Sequence, residues 1–206
     1  MTHFILIRHG ETEWNREVRF RGRADISLND VGLAQAAATG RRIAAAWQPA
    51  AIYCSPMIRA RQTAAAIAEW VSLPVQPHEG LYDIDFGQLQ GLTVDEAAAR
   101  WPEVVRSWVE TPGATRFPGG ERLADLHARA MAMLETLTVR HENETVVLVG
   151  HTVINRVILL GVLGLGLDRF WHLGQDTCAI NRFEATAGDY VLLSLNDVCH
   201  LHDLAA

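Results

Sequence analysis

Histidine and arginine side chains stand just beyond the ends of three short apolar segments. They are Arg8 and His9 after residues 4–7, Arg59 and Arg61 after residues 51–54, and His151 after residues 146–149. A buried strand does not tolerate such groups in its interior, so we expect each of them beyond a strand end. In α/β sheets, ligands bind past the carboxyl ends of strands, where loops and helix N-termini converge. Two histidines and several arginines at one edge would form a compact positive pocket for a small anion.

The elements that must position these groups follow an alternating pattern. Short apolar runs with β-branched residues alternate with longer alanine-rich amphipathic runs, which indicates a sheet covered by helices. We predict strands at about residues 3–8, 51–54, 75–77, 144–150, 178–185 and 189–195. We predict helices from Asn29 or Asp30 to Trp47, from Pro56 to Val71, from Thr93 with a kink or restart at Pro102, from Glu121 to His141, and from Val153 to Leu163. The expected fold is α/β, with three helix/sheet/helix layers and a mainly parallel central sheet.

One loop rich in helix breakers divides the chain. It is TPGATRFPGG, residues 111–120, and it separates a small helical region of about residues 92–110 from the next long helix. A length of 206 residues suits one domain. We therefore predict a single domain over residues 1–206, with a cap-like helical insertion at about residues 88–120.

Composition argues against several classes of partner. The net charge of -6 disfavours nucleic acid and anionic membranes, whose partners carry a basic excess. The longest apolar run, residues 157–167, is too short to span a bilayer, and the four apolar residues before Arg8 are too short for a signal peptide. Three widely spaced cysteines predict neither a disulfide framework nor a CxxC motif. A cytoplasmic protein with a small-molecule substrate is expected, and a homodimer is left open.

Four stretches together resemble a known family. LIRHGETEWN, SPMIRARQTA, LYDIDFG and VGHT are similar, in order and spacing, to the motifs of the histidine phosphatase superfamily, also called the phosphoglycerate-mutase-like fold. The resemblance runs from residue 3 to about residue 195. It implies phosphoryl transfer, in which positioning and electrostatic stabilisation by arginines matter most. Because arginine and histidine supply the positive charge and no carboxylate cluster with Mg²⁺ spacing is visible, we expect neither a metal nor a cofactor.

The resemblance also implies roles for individual residues. His9 would attack phosphorus as a neutral imidazole and form a phosphohistidine. Nearby arginines would help to keep that imidazole neutral. His151 would donate to the phosphoryl oxygens, and forked hydrogen bonds to these oxygens are expected from the arginines. The implied substrate contacts are Arg8, Asn15, Arg21, Gly22, Arg59 and His151.

The proton donor for the leaving group departs from the family pattern. The family usually has a glutamate where this chain has Asp83, in LYDIDFGQLQG. Aspartate is shorter by one methylene, roughly 1.5 Å. Asp85, two residues later, and Glu79, four residues earlier, are the alternatives for the general acid.

The sequence is therefore interpreted as a metal-independent phosphomonoesterase that hydrolyses a small phosphorylated metabolite through a phosphohistidine. The segment FWHLGQDTCAI gives some likeness to the α-ribazole phosphatase branch, and a broad-specificity phosphatase is an equal alternative. Phosphoglycerate-mutase-type transfer is one alternative, although the stretch from Gly87 to Pro118 is short for a mutase insertion. A catalytically weak member that binds a phosphorylated ligand is another. Substrate identity is beyond the sequence.

Overall fold

The computed structural model describes residues 1–204; residues 205 and 206, the end of the predicted domain, lie outside it. The strands are β1 (Thr2–Arg8), β2 (Ala51–Cys54), β3 (Val75–Pro77), β4 (Thr145–Gly150), β5 (Ile180–Thr186) and β6 (Asp189–Asp197). The α-helices are α1 (Glu13–Arg16), α2 (Asp30–Ala46), α3 (Ile58–Val71), α4 (Val94–Arg100), α5 (Pro102–Glu110), α6 (Leu123–Arg140) and α7 (Thr152–Val162). Short 3-10 helices include Leu167–His172 and Cys199–Leu204.

The six strands form one sheet in the order β3-β2-β4-β1-β5-β6. The pairs β2–β3, β2–β4 and β1–β4 are parallel, whereas β5 and β6 continue the sheet antiparallel. In the register of the two central strands, Arg8 lies opposite Gly150. The residues that follow them, His9 and His151, therefore emerge side by side. The predicted α/β class with a mainly parallel sheet is confirmed.

Helices cover both faces of the sheet, which is why residues 4–7 of β1 and residues 146–149 of β4 are all apolar. Phe4 and Leu6 of β1 face a core that contains α6 and α7, whereas Ile5 and Ile7 face a core that contains α2 and α3. All four side chains are at most 1% exposed. This two-sided packing holds the end of β1 in a fixed position.

Two helices begin later than the sequence predicts. Helix α3 begins at Ile58 and not at Pro56, because its first free N–H, that of Ile58, is capped by the Asp25 carboxylate at 2.7 Å. Helix α6 begins at Leu123 and not at Glu121, because Arg122 is the extended N-cap residue and its backbone N–H donates to the Asp125 carboxylate at 3.0 Å. The first difference depends on a long-range partner that local sequence patterns do not contain.

The insertion predicted at about residues 88–120 contains two separate helices. Thr93 and Glu96 form a reciprocal capping box at the start of α4, and Pro102 occupies the first turn of α5 and restarts the helix. Val94, Val105, Trp108 and Val109 of these helices face a cavity at the carboxyl edge of the sheet. No helix within residues 1–204 has the length and apolar character needed to cross a membrane.

Candidate active site

The loop after β1 places His9 directly after Arg8, which lines this cavity. We call the buried group of Arg8, His9, Arg59 and His151 the floor. The His9 backbone N–H donates to the Gly150 carbonyl oxygen at 3.1 Å, which continues the ladder between the two central strands. Gly10 then donates its N–H to the Thr63 hydroxyl at 3.1 Å. A Cβ on Gly10 would lie 2.5 Å from the Gly32 carbonyl oxygen. Glycine is therefore needed here because the loop passes so close to α2.

The His9 imidazole is held as one tautomer. Its Nδ1 lies 2.7 Å from the Gly10 carbonyl oxygen, and because a carbonyl oxygen can only accept, Nδ1 carries the proton. In the neutral ring the lone pair is then on Nε2. Burial lowers the pKa of His9 well below its usual range, and the charges of Arg59 and Arg8 lower it further. The ring is therefore neutral and has a nucleophilic Nε2.

His151 has the opposite tautomer. The Arg59 Nε–H donates to His151 Nδ1 at 3.1 Å, so the proton of the neutral ring is on Nε2. His151 Nε2 is buried and has no hydrogen-bond partner among the described residues. Burial, and then the charge of Arg59, lowers the pKa of His151 well below its usual range. The centroids of the His9 and His151 rings are 5.1 Å apart, so a ring with a lone pair on Nε2 lies beside a ring with a proton on Nε2.

Arg59 connects His151 to the loop after α1. It is fully buried, and it also donates from Nη1 to the Ala24 carbonyl oxygen at 2.6 Å and from Nη2 to the Gly22 carbonyl oxygen at 2.8 Å. Burial lowers the pKa of Arg59 to about 10. Gly22 has a positive φ of 48°, and a Cβ there would lie 2.8 Å from the Ile84 carbonyl oxygen. Contact of Arg59 with phosphate stays a prediction; its described contacts position His151 and Gly22.

Arg8 and Arg21 line the cavity itself. Arg8 donates from Nη1 to the Gln175 carbonyl oxygen at 2.5 Å, while its buried Nε has no described partner. Arg21 donates from Nη1 to the Trp14 carbonyl oxygen at 2.8 Å. Burial lowers the pKa of Arg8 to about 9, and Arg21 adds to this effect. An anion entering the cavity would relieve the repulsion between these two guanidinium groups.

Asn15 lines the same cavity from α1. Its Oδ1 accepts the Thr12 backbone N–H at 3.0 Å and the Thr12 hydroxyl at 2.8 Å. Because the Thr12 N–H can only donate, these contacts fix which amide atom is the oxygen. The Asn15 Nδ2 donors are left to a ligand.

The structure separates the three candidate carboxylates. Asp83 lines the cavity, is 5% exposed, and accepts the Ile154 N–H at 3.4 Å. Burial raises the pKa of Asp83 in spite of the neighbouring arginines. The Asp85 carboxylate caps the Gly87 N–H at 2.8 Å outside the cavity lining, and Glu79 is exposed. Of the three candidates, Asp83 is the one that lines the cavity and whose pKa is raised, and its role as the general acid stays a prediction.

The cavity has a volume of about 410 Å³ and contains residues that the sequence reasoning missed. Thr152 and Arg156 of α7 line it, together with Phe170 and Trp171 of the 3-10 helix. The signal for the first pair was their i, i+4 spacing in the helix that begins after His151, which puts both on one face. Among the side chains of residues 1–202 and 204, no three His, Cys, Asp or Glu are grouped so that they could hold a metal ion.

Comparison with known proteins assigns the family. The sequence profile of the histidine phosphatase superfamily (branch 1) matches residues 4–198. The chain belongs to this superfamily. Phosphoserine phosphatase 1 of Hydrogenobacter thermophilus is 37% identical over 201 residues, which are 98% of this chain and 95% of that protein. The metal-independent phosphoserine phosphatase of Arabidopsis thaliana is 36% identical over 164 residues, covering 79% of this chain and 69% of that protein.

Solved structures of histidine phosphatases have the same fold as this chain. A phosphoserine phosphatase mutant from Entamoeba histolytica, in complex with phosphoserine, superposes with a TM-score of 0.87 at 31% identity, covering 98% of this chain and 100% of that chain. A putative α-ribazole-5'-phosphate phosphatase from Escherichia coli, at 21% identity and a TM-score of 0.86 over 95% of this chain and 96% of that chain, shows the same fold. The predicted superfamily and the predicted class, a phosphomonoester hydrolase, are confirmed.

Proposed function

We propose that this histidine phosphatase hydrolyses a small phosphorylated metabolite through a phosphohistidine at His9. The observation that carries the proposal is the pair of opposite tautomers: the lone pair of His9 Nε2 and the N–H of His151 Nε2 stand side by side in a buried, arginine-lined floor. A phosphoryl group placed between them meets a nucleophile and a donor at once. No proton has to be removed from either ring before the reaction.

In the first step, His9 Nε2 forms a bond to phosphorus while the bond from phosphorus to the ester oxygen breaks. The electron pair of that bond stays with the oxygen, which takes the proton of the Asp83 carboxyl. His151, Arg8 and Arg21 stabilise the charge on the phosphoryl oxygens. The raised pKa of Asp83 supports its role as the acid, because a protonated carboxyl is required at this point.

In the second step, water attacks phosphorus and the bond to His9 Nε2 breaks. The Asp83 carboxylate takes the proton of the water, so both His9 and Asp83 return to their starting states. Inorganic phosphate and the alcohol are the products. A second hydroxyl in place of water would give mutase-type transfer, and product analysis distinguishes the two reactions.

The test is to trap the intermediate. Wild-type protein mixed briefly with a ³²P-labelled phosphomonoester and quenched in base should retain label that is lost in acid, and peptide mapping should place it on His9. His9→Ala should retain none, whereas His127→Ala, a histidine of α6 outside the cavity lining, should label like the wild type. Label on another residue, or turnover by His9→Ala, would refute the mechanism.

Metal independence is part of the proposal. The positive charge of the floor comes from arginines, and one relative is named metal-independent. EDTA should leave the rate unchanged, and vanadate, which mimics the five-coordinate phosphorus of the transition state, should inhibit. A rate lost to EDTA and restored by Mg²⁺ would contradict this.

We also propose a cytoplasmic, single-domain enzyme whose helices α4 and α5 act as the cap and which binds neither nucleic acid nor membranes. Its acidic net charge and its three unpaired cysteines support this view. A homodimer is supported by β6, an edge strand with the exposed apolar residues Val191, Leu193 and Leu195. Sedimentation of the wild type and of Leu193→Lys tests the dimer.

A further inference from the structure

Arg156 is a cation of the cavity without an oxygen partner. Its guanidinium carbon lies 5.0 Å from the centroid of the Phe170 ring and 5.1 Å from that of Trp171. No hydrogen bond or ion pair joins its side chain to another residue within the described part of the chain, and its buried Nε is unpartnered. Aromatic rings attract the charge but do not replace an oxygen acceptor for the N–H donors. Arg156 is therefore poised to donate to a ligand.

Thr152 adds a second donor on the same face of α7. It lies one helical turn before Arg156, also lines the cavity, and its buried Oγ1 has no hydrogen-bond partner among residues 1–204. Arg8, on the floor, is close enough to Arg156 for their charges to repel, which contributes to the lowered pKa of Arg8. The two unpartnered donors thus line the same cavity as Arg8.

We propose that Thr152 and Arg156 bind a carboxylate of the substrate, so that the preferred substrates are phosphomonoesters with a carboxylate a few bonds from the phosphate. The inference rests on the proposed function, because it takes the phosphoryl group to lie at His9. Neither residue takes part in the bond changes; both select the molecule.

The chemistry of this subsite favours a carboxylate over an ammonium group. The described lining contains one carboxylate, Asp83, which the reaction occupies, and the other charged lining residues are arginines, of which Arg8 is repelled by the charge of Arg156. A planar guanidinium matches the two oxygens of a carboxylate in a forked hydrogen bond. The Thr152 hydroxyl supplies a further donor. An ammonium group here would meet repulsion and no dedicated acceptor.

The experiment uses two matched substrate pairs that differ in the carboxylate. They are 3-phosphoglycerate with glycerol 3-phosphate, and phosphoserine with phosphoethanolamine. For wild type, kcat/KM should be about 10- to 100-fold higher for the carboxylate member of each pair, as expected for a charge-assisted hydrogen bond. Arg156→Met keeps the aromatic contacts of the stem and should bring both ratios close to one.

Arg169→Met is the matched control, because Arg169 lies in the same 3-10 helix as Phe170 but is exposed and outside the cavity lining. It should leave both ratios at the wild-type value. Arg156→Lys keeps the charge but not the fork, and should retain part of the preference. Thermal unfolding of each variant shows whether the fold is intact.

Wild-type ratios near one, or ratios that Arg156→Met and Arg169→Met alter equally, would overturn the inference while phosphate release still supported the proposed function. A preference for glycerol bisphosphates over 3-phosphoglycerate would overturn it too, because the subsite would then bind phosphate. If the wild type released phosphate from none of these substrates, the proposed function would be refuted instead. The affinity of His9→Ala for each pair, measured by calorimetry, then tests the carboxylate subsite on its own.

Discussion

The cavity is built from two regions of opposite character. The first is the floor, Arg8, His9, Arg59 and His151, of which Arg8 lines the cavity; the second, which we call the wall, is Val94, Val105, Trp108, Val109, Phe170 and Trp171. Floor residues are at most 8% exposed, whereas the wall ranges from buried Phe170 to Val109 at 62%. Floor side chains are fixed by hydrogen bonds to backbone and to each other, while apolar contacts hold most of the wall.

This difference indicates which residues control the rate of the chemical step and which control the choice of substrate. Charges and dipoles act strongly on a transition state when they are dry and already oriented, as they are in the floor. Apolar contacts at an open rim discriminate between substrates by smaller factors. Substitutions in the floor should therefore lower the rate of the chemical step, and substitutions in the wall should mainly change which ester is accepted.

Among substitutions that leave the His9 nucleophile in place, the largest effect is expected for Arg59→Met. The substitution removes the donor that fixes the His151 tautomer and the two hydrogen bonds that hold the loop at Gly22. We expect kcat/KM to fall by roughly 10³- to 10⁴-fold, comparable to the loss of an orienting partner or an oxyanion donor in other hydrolases. Steady-state kinetics measure this fall.

Arg61→Met is its control, because Arg61 lies two residues further along α3 and is exposed. It should keep nearly the full rate. A loss for Arg61→Met similar to that for Arg59→Met would mean that net charge, and not the orientation of His151, governs the floor.

A smaller effect, which depends on the leaving group, is expected for Asp83→Asn. The rate should fall by about 10²-fold or more for an alkyl phosphate, and far less for p-nitrophenyl phosphate, whose leaving group hardly needs a proton. The second step loses its base, so the phosphohistidine should accumulate with the good leaving group. Rapid-quench kinetics with both substrates measure the two effects.

Asp85→Asn and Glu79→Gln control for the loss of a negative charge near the arginines. Both should show little dependence on the leaving group. If either variant shows the strong dependence on the leaving group and Asp83→Asn does not, that residue is the general acid. The acid would then lie outside the cavity lining.

The buried histidines predict a pH dependence of stability. Their folded-state pKa values lie well below the ordinary 6.5, so between those values and pH 6.5 the unfolded chain binds more protons than the folded chain. The free energy of unfolding should thus rise with pH in this window and level off above it. Each histidine contributes up to about 1.4 kcal/mol per pH unit, a tenfold change in the unfolding constant. Asp83, with its raised pKa, opposes this trend at lower pH.

His151→Gln tests this assignment, because glutamine cannot be protonated but still offers an acceptor to Arg59. The slope between pH 5.5 and 6.5, from urea unfolding, should decrease by up to one proton. His172→Gln, at an exposed histidine, should keep the wild-type slope. If the free energy of unfolding had the same slope against pH in all three proteins, the floor would be hydrated and the assignment to His151 would be wrong.

The floor was more predictable from sequence than the wall, for physical reasons. His9 and His151 follow uninterrupted apolar strands, and parallel strands bring their carboxyl ends to one edge, so local patterns suffice. The contacts of Arg59 with Ala24 and His151 depend on side-chain packing between distant segments, which no local pattern contains. In the sequence, Phe170 and Trp171 resemble ordinary core residues, and their place in the cavity depends on packing against Trp108 of α5 and Arg156 of α7. Arg156 was overlooked because a single arginine in a helix is usually solvated.

The smallest effect is expected in the wall, for Val105→Ala in α5. Val105 is partly buried, and its side chain contributes apolar contact to the cavity but no hydrogen bond. At about 0.8 kcal/mol per buried methylene, partial loss of contact should raise KM for a bulky aryl phosphate by about 2- to 5-fold with little change in kcat. Val139→Ala, at a 79% exposed position of α6, makes the same chemical change outside the cavity and should leave KM unaltered. A fall in kcat of more than tenfold for Val105→Ala, with KM unchanged, would contradict the proposed division between floor and wall. An apolar residue of the wall would then control the chemical step.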